Sequence, residues 1–279
     1  MIGEQRRLGG RLVTTDGSSG VGPPVILLAG CGVPHTLWEA VRAGLLGRRV
    51  VWLDRPGMGG TPWPGRVPTL SEEVATLAEL AVREDAPVIW VAHSIAGPHA
   101  EAVTRQYPRL VGGLVLVDSS VEWRPPVGAG RRGGWNRFAG ATRWFYRRRP
   151  VGALAHALLR GQLGSPTARR FGISSSMAAE LTEILPQPDT QAMTVAEFGG
   201  CTGQITELYA IRARHPWPTV PTEVLTALKG SGRRWLDAQA RLAGLLGATH
   251  HRIDAGHNMM LDRPEAVVAS IERVANQIG

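Results

Sequence analysis

The sequence predicts an α/β fold with a mostly parallel, twisted sheet, and three observations carry that prediction. Short apolar runs of strand type alternate with segments of helical period along most of the chain. The order strand, helix, strand recurs, and it demands parallel strands with helices on both faces. The alternation breaks once, at Trp123, for about 90 residues without a convincing strand, and then resumes. A length of 279 residues fits one large domain or a core carrying an insertion. With 43% hydrophobic and 19% charged residues and no apolar run approaching the ~18 residues of a membrane span, the composition excludes a disordered chain, a collagen-like repeat and a membrane-spanning protein.

In chain order, Arg11 to Thr14 reads as a strand, and so does Val25 to Ala29, which ends at Gly30-Cys31-Gly32. A helix is expected from about Thr36 to Leu46, then a strand from Arg49 to Leu53. The stretch Asp54-Arg55-Pro56-Gly57-Met58-Gly59-Gly60 is too rich in glycine to be either element and reads as a loop. Ser71 stands as an N-cap before Glu72 and Glu73 and an apolar stripe through Val74, Leu77, Ala78, Ala81 and Val82, ending near Glu84. Pro87 to Ala92 (strand), Ile95 to Gln106 (helix) and Gly113 to Asp118 (strand) complete the first part. The interruption holds helical pieces at Arg132 to Arg147, Gly152 to Leu163, Ser175 to Leu185 and Thr194 to Arg214. Thr222 to Ala227 and Thr249 to Ile253 then read as strands, each followed by a helix, at Arg234 to Leu246 and Pro264 to Ile278. The expected division is a core of residues 1–122 and 216–279 and an all-helical insertion at 123–215.

Met1 to Gly10 carries Arg6 and Arg7 and no apolar stretch of the kind that forms a secretion signal, so a cytoplasmic location is expected. Cys31 and Cys201 lie in no CxxC or Cys/His cluster, which predicts two free thiols, no metal and no cofactor. The formal net charge is +8, and Lys229 is the only lysine. The excess is local: from Trp123 to Ala179 there are 11 arginines and no acidic residue. Such a run suits an anionic partner or simply a solvated face. On helical spacing the arginines of Arg143-Trp144-Phe145-Tyr146-Arg147-Arg148-Arg149 do not separate from the aromatics, which argues against membrane contact. No nucleic-acid partner is expected either.

Chemistry concentrates at Ser94, in Val91-Ala92-His93-Ser94-Ile95-Ala96-Gly97, directly after a strand and directly before a helix. A serine at that junction occupies a nucleophile elbow, where a strained turn lifts the hydroxyl above the sheet and small neighbours, here Ala92 and Ala96, let strand and helix approach. A hydroxyl needs a base, and His257, in Ile253-Asp254-Ala255-Gly256-His257-Asn258, lies on the loop after the last strand. Backbone N–H groups of Cys31, after the strand ending at Ala29, and of Ile95, after the nucleophile, are the expected donors to a developing oxyanion.

Together with Ala29-Gly30 and Trp38, Asp54-Arg55-Pro56-Gly57-Met58-Gly59, Leu114-Val115-Leu116-Val117-Asp118 and Pro264-Glu265, these residues make the chain resemble the α/β-hydrolase superfamily over almost its whole length, in the cap-bearing branch of esterases, lactonases, haloalkane dehalogenases and epoxide hydrolases. The chain departs from the family's pattern where Ala29 replaces the usual histidine and where alanines replace the elbow glycines. Serine at 94, where dehalogenases and epoxide hydrolases use aspartate, argues against those two chemistries. The resemblance implies a third triad member. The usual place, past Ala227, reads Leu228-Lys229-Gly230-Ser231-Gly232 and holds no carboxylate, so the candidates are Asp118 at the end of the strand before the insertion, then Asp237, then Glu122. The expected activity is a cofactor-independent serine hydrolase cleaving an ester or lactone of a hydrophobic small molecule through an acyl-enzyme. Trp135, Phe138, Trp144, Phe145, Tyr146, Phe171, Met177 and Met193 are candidates to face the apolar part of that substrate. Two rival readings stay open: a lyase, cyclase or acyltransferase on the same scaffold, and a ligand-binding protein of low turnover.

Overall fold

The computed structural model describes residues 4–16, 20–121 and 132–278. Eight strands form one sheet: β1 (Glu4–Leu8), β2 (Arg11–Asp16), β3 (Val25–Leu28), β4 (Val50–Leu53), β5 (Val88–His93), β6 (Val111–Val117), β7 (Thr222–Ala227) and β8 (Thr249–Ile253). Their spatial order is β1-β2-β4-β3-β5-β6-β7-β8. The pairs from β4 through β8 are parallel, while β1 and β2 are antiparallel at one edge. The central strands are buried along their whole length, as a sheet covered on both faces requires.

On one face lie α2 (Leu70–Val82), α3 (Ala96–Gln106) and α9 (Arg233–Leu245), which enclose a core containing Trp90, Leu114 and Val224. On the other lie α1 (Glu39–Gly44), α10 (Met259–Asp262) and α11 (Pro264–Ala275), around Trp38, Val91 and Ile271. Among the described residues, five helices lie in the interval between β6 and β7: α4 (Arg132–Tyr146), α5 (Arg149–Leu163), α6 (Pro166–Arg170), α7 (Ser175–Ile184) and α8 (Pro188–Arg214).

One strand goes unread in the sequence and three local expectations are corrected. Glu4–Leu8 is a strand that its polar sequence conceals, turned into β2 by Gly9-Gly10, both at positive φ, a two-residue turn suited to a hairpin. The N-cap of α2 is Thr69 rather than Ser71: Thr69 Oγ1 accepts the Glu72 N–H while the Glu72 carboxylate accepts the Thr69 N–H, a reciprocal capping box. The segment after Gly32 is a 3₁₀ turn at His35–Trp38 followed by the short α1. The last helix of the insertion begins at Pro188, not Thr194, and runs for 27 residues.

The loop Asp54–Gly60 after β4 is the platform on which that long helix rests. Thr190 donates to the Gly57 carbonyl (2.6 Å), and Asp189 accepts from the Trp63 N–H (3.2 Å) and from Arg143 on α4 (2.6 Å). Deeper in, Arg55 is fully buried between Glu197 of α8 and His99 of α3, and His99 Nε2–H donates to Gln204 Oε1 (2.9 Å). Burial, with the Arg55 charge beside it, pushes His99 down to about 4, so its ring is neutral and accepts from Arg55 through Nδ1 (3.1 Å).

Candidate active site

The site assembles where the parallel strands end. Ser94 occupies the turn between β5 and α3 with φ of +54°, a left-handed conformation that costs a residue with a β-carbon and persists only where its surroundings enforce it. Those surroundings are specific. The Ser94 N–H donates to the Val117 carbonyl (3.2 Å), and the Ser94 carbonyl accepts from Gly97 (3.0 Å) and Ser120 (2.9 Å), which pins the elbow to the end of β6. Ala92 and Ala96 are buried. The glycine the elbow demands is Gly97, because a β-carbon there would lie 1.9 Å from Ser119 Oγ.

Asp118, one residue past β6, also has positive φ (+43°). Its backbone N–H donates to the Leu225 carbonyl (2.8 Å), so the left-handed turn is held by β7. The side chain is buried, and each oxygen is engaged: Oδ1 accepts from the Ala227 N–H (3.1 Å) and the Trp235 indole N–H (2.9 Å), while Oδ2 lies 2.6 Å from His257 Nδ1. With Oδ1 engaged by two N–H groups, Oδ2 is the oxygen that accepts from the facing imidazole, so Nδ1 is the ring nitrogen that carries the proton. His257 is about half exposed (49% for the side chain), leaving Nε2 as the nitrogen not used by Asp118.

The loop carrying His257 is fixed from three sides. Asp262 accepts the Gly256 N–H (2.6 Å), the Ala255 carbonyl accepts from the Lys229 N–H (2.9 Å), and the His257 carbonyl accepts from His93 Nε2–H (3.0 Å). The rings of His93 and His257 stand 4.6 Å apart, centroid to centroid. His93 adjoins Ser94, so one buried ring joins the nucleophile turn to the histidine loop. Burial, and then the charge His257 would carry, push His93 down to about 3; it is a neutral hydrogen-bonding strut at any ordinary pH.

The loop after β3 presses on the same turn. A β-carbon on Gly30 would lie 2.7 Å from His93 Nδ1 and 2.9 Å from Ser94 Cβ, which is why glycine precedes Cys31. Among the described residues neither the Cys31 nor the Ile95 N–H donates to another backbone group. The Cys31 thiol points elsewhere, toward the Thr194 carbonyl of α8 (3.6 Å), and burial raises its pKa.

The structure thus brings Asp118 and His257 into contact and sets Cys31 and Ile95 on the two chain segments flanking Ser94. Asp237 is elsewhere: its side chain is 58% exposed on α9, one turn from Arg233 (4.0 Å). Glu122 lies outside the described residues. Three supporting residues had no assigned part in the sequence reading: His93, Trp235 and Asp262. Only Trp235 carried a signal, a large aromatic opening the helix after β7; the other two act across folds of the chain. Of the apolar residues expected to face substrate, Met177 and Met193 are buried in the packing, whereas Phe138, Trp144, Phe145 and Phe171 are exposed. Helix α4 spends its inner stripe, including Ala139, on α8, where Trp135 packs over Gly199, so Phe138, Trp144 and Phe145 turn outward.

Comparison with known proteins bears on the fold and the family. A family model described as the alpha/beta hydrolase family matches residues 25–270. A pimeloyl-[acyl-carrier protein] methyl ester esterase from Aeromonas hydrophila subsp. hydrophila is 33% identical over 107 residues, covering 36% of this chain; the match spans about two fifths (39%) of that relative's length. Among solved structures, a thermophilic esterase from Thermogutta terrifontis superposes with a TM-score of 0.68 at 20% identity, covering 99% of both chains. The enol-lactonase from Burkholderia xenovorans LB400 gives 0.66 at 17% identity, covering 98% of this chain and 100% of its own. With a family model matched over most of its length and the full sheet topology in place, the chain belongs to the alpha/beta hydrolase family.

Proposed function

We propose that the protein is a serine hydrolase that cleaves a carboxylic ester or lactone through an acyl-enzyme. The observation that carries this reading is the 2.6 Å hydrogen bond between Asp118 Oδ2 and His257 Nδ1, at the sheet end where Ser94 is held in a left-handed turn. In the proposed reaction Ser94 Oγ attacks the carbonyl carbon and its proton passes to His257 Nε2. The ionised Asp118 orients the ring and stabilises the imidazolium. The carbonyl oxygen, now negative, receives the N–H groups of Cys31 and Ile95. Collapse of the tetrahedral intermediate breaks the carbon–oxygen bond, the leaving alkoxide takes the proton from Nε2, and water repeats the sequence to release the acid and restore Ser94. In a lactone the alcohol stays tethered to the acyl group. Helices α4–α8 act in this reading as a cap fastened by Arg55, Thr190 and Asp189. A hydrophobic substrate body gains no support from the exposed aromatics, so the reading rests on bond type.

The test pairs a fluorophosphonate label with hydrolysis of short and medium p-nitrophenyl esters. Labelling of the native protein, its loss in Ser94→Ala, and measurable ester turnover are expected. Labelling without turnover would transfer the site to acyl transfer or lyase chemistry.

A further inference from the structure

The outer faces of α4 and α5 are built unlike the rest of the surface. On α4 Phe138 and Phe145, two turns apart, and Trp144 are 59%, 53% and 61% exposed; Arg137 is exposed with them, as is Arg148, two residues past the end of the helix. On α5 the positions 150, 153, 154, 157, 158 and 161 form a single stripe of Pro, Ala, Leu, Ala, Leu and Gly, all exposed, with Leu154 and Leu158 at 61% and 59%. That is the spacing of a helix face made to be covered, here directed outward. Arg137, Arg147, Arg148 and Arg160 are exposed on or beside these helices, and α4 and α5 themselves hold no carboxylate, so whatever covers these faces meets apolar side chains and positive charge together.

Three kinds of occupant are open to such a surface. A second copy of the same face would set arginine against arginine across a two-fold axis, which like-charge repulsion opposes. An acidic protein would satisfy the arginines but would need a matching hollow for each of two leucines and three aromatic rings spread over two helices, a relief that a fluid bilayer surface does not require. An anionic bilayer surface uses both: aromatic rings and leucines settle at the headgroup boundary while arginines on long stems reach phosphates. The mixing of arginines with aromatics on α4, which argued against membrane contact when only sequence spacing was considered, takes on a different sense in three dimensions. The Arg148 guanidinium lies 4.0 Å over the Trp144 ring, an arrangement that lets one patch present cation and apolar surface at the same depth. The segregated apolar stripe is on α5.

We propose that the outer faces of α4 and α5 form a docking surface for anionic lipid bilayers, peripheral and reversible, independent of the reaction assigned to Ser94. No helix among the described residues is long and apolar enough to cross a membrane; the contact is interfacial.

The test is co-sedimentation of the full chain, in a Ser94→Ala background so that lipid esters are not consumed, with vesicles of phosphatidylglycerol and phosphatidylcholine against pure phosphatidylcholine at about 0.15 M salt. Binding to the anionic vesicles alone is expected. Each basic residue near such a surface contributes roughly a factor of five, so Arg147→Gln with Arg148→Gln should lower the partition coefficient by about 25-fold. Leu154→Asp with Leu158→Asp, and independently Trp144→Ser with Phe145→Ser, should lower it by on the order of tenfold or more, with the circular dichroism spectrum and Tm unchanged because all four positions are exposed. The proposal is overturned by equal or no binding to the two vesicle types, or by binding that persists in both apolar variants, which would be charge adsorption alone. It is also overturned by a dimer that the leucine variant dissociates, or by polyglutamate binding as tightly as the vesicles.

Discussion

The sheet carries two aspartate–histidine pairs of nearly the same geometry, and their difference shows what the site needs. Asp118 and His257 meet at 2.6 Å beyond β6; Asp54 and His35 meet at 2.9 Å beyond β4. In both, a buried carboxylate at the end of a parallel strand faces a histidine Nδ1. In the first pair no carboxylate of the described residues reaches Nε2, and the adjoining element is the Ser94 turn. In the second, Nε2 is taken by Glu180 of α7 (3.0 Å), and the ring is stacked on Trp52 (5.7 Å between centroids), which Arg42 covers from 3.8 Å. A histidine between two carboxylates is an imidazolium clamp joining the insertion to the core, whereas a histidine with one carboxylate and an open nitrogen is able to accept and return a proton. The aspartate–histidine contact is common to both; the far nitrogen decides the role.

The comparison breaks most visibly in turnover. Ser94→Ala and His257→Ala should each lower kcat by a factor on the order of 10⁴ or more, and the double variant should be hardly slower than either, because the residues act as a unit. Losses that multiply would remove the unit. His35→Gln, by contrast, should leave kcat within a few-fold.

Next come the two aspartates. Asp118→Asn should lower kcat by about 10² to 10⁴ with little change in the circular dichroism spectrum, since the imidazole loses its orienting charge. Asp54→Asn removes one partner of a buried charged contact and should cost about 3 kcal/mol in urea denaturation at pH 7 while keeping most of the turnover. Asp237→Asn, on an exposed side chain, should alter stability by less than about 0.5 kcal/mol and kcat not at all. If Asp237→Asn slows the enzyme and Asp118→Asn does not, the assignment of the acid fails.

How much of this was legible in the sequence differs between the two pairs for a physical reason. Ser94 stood out because a strand-to-helix junction with small neighbours has a local signature. His257 and Asp118 followed from their places at strand ends within a recognised order of elements. The His35–Asp54–Glu180 clamp left no such trace: Glu180 is brought in from α7, and nothing local to His35 distinguishes it from a surface histidine. The same holds for His93 and Asp262, whose partners lie on other loops. Local chemistry, such as Thr69-x-x-Glu72 or Gly9-Gly10, was present in the sequence, but a neighbouring serine and a polar strand obscured it. The outward faces of α4 and α5 were not legible, because which side of each helix is covered depends on a distant partner, α8 for α4 and α7 for α5.

The pH dependence of stability is the sharpest test of the clamp. Burial by itself would lower the His35 pKa, but hydrogen bonds to Asp54 and Glu180 and their charges outweigh it and raise the value to about 9, against 6.5 for a free histidine. Glu180 is correspondingly held below the usual carboxylate range, chiefly by its hydrogen bond to His35, with the Arg42 charge adding to it. A raised pKa in the folded state means the folded protein binds the proton more tightly than the unfolded chain. The contribution is therefore complete below about pH 6.5, declines between 6.5 and 9, and is gone above 9. Its size is on the order of 1–3 kcal/mol, given the partial exposure of Glu180. Urea midpoints measured from pH 6 to 10 should fall across that window in the native protein and stay flatter in His35→Gln. Glu180→Gln, which keeps a hydrogen-bonding group but removes one charge, should shift the fall to lower pH. Parallel curves for native and His35→Gln proteins would show that another group titrates there, and the contrast between the two histidines would then rest on geometry alone.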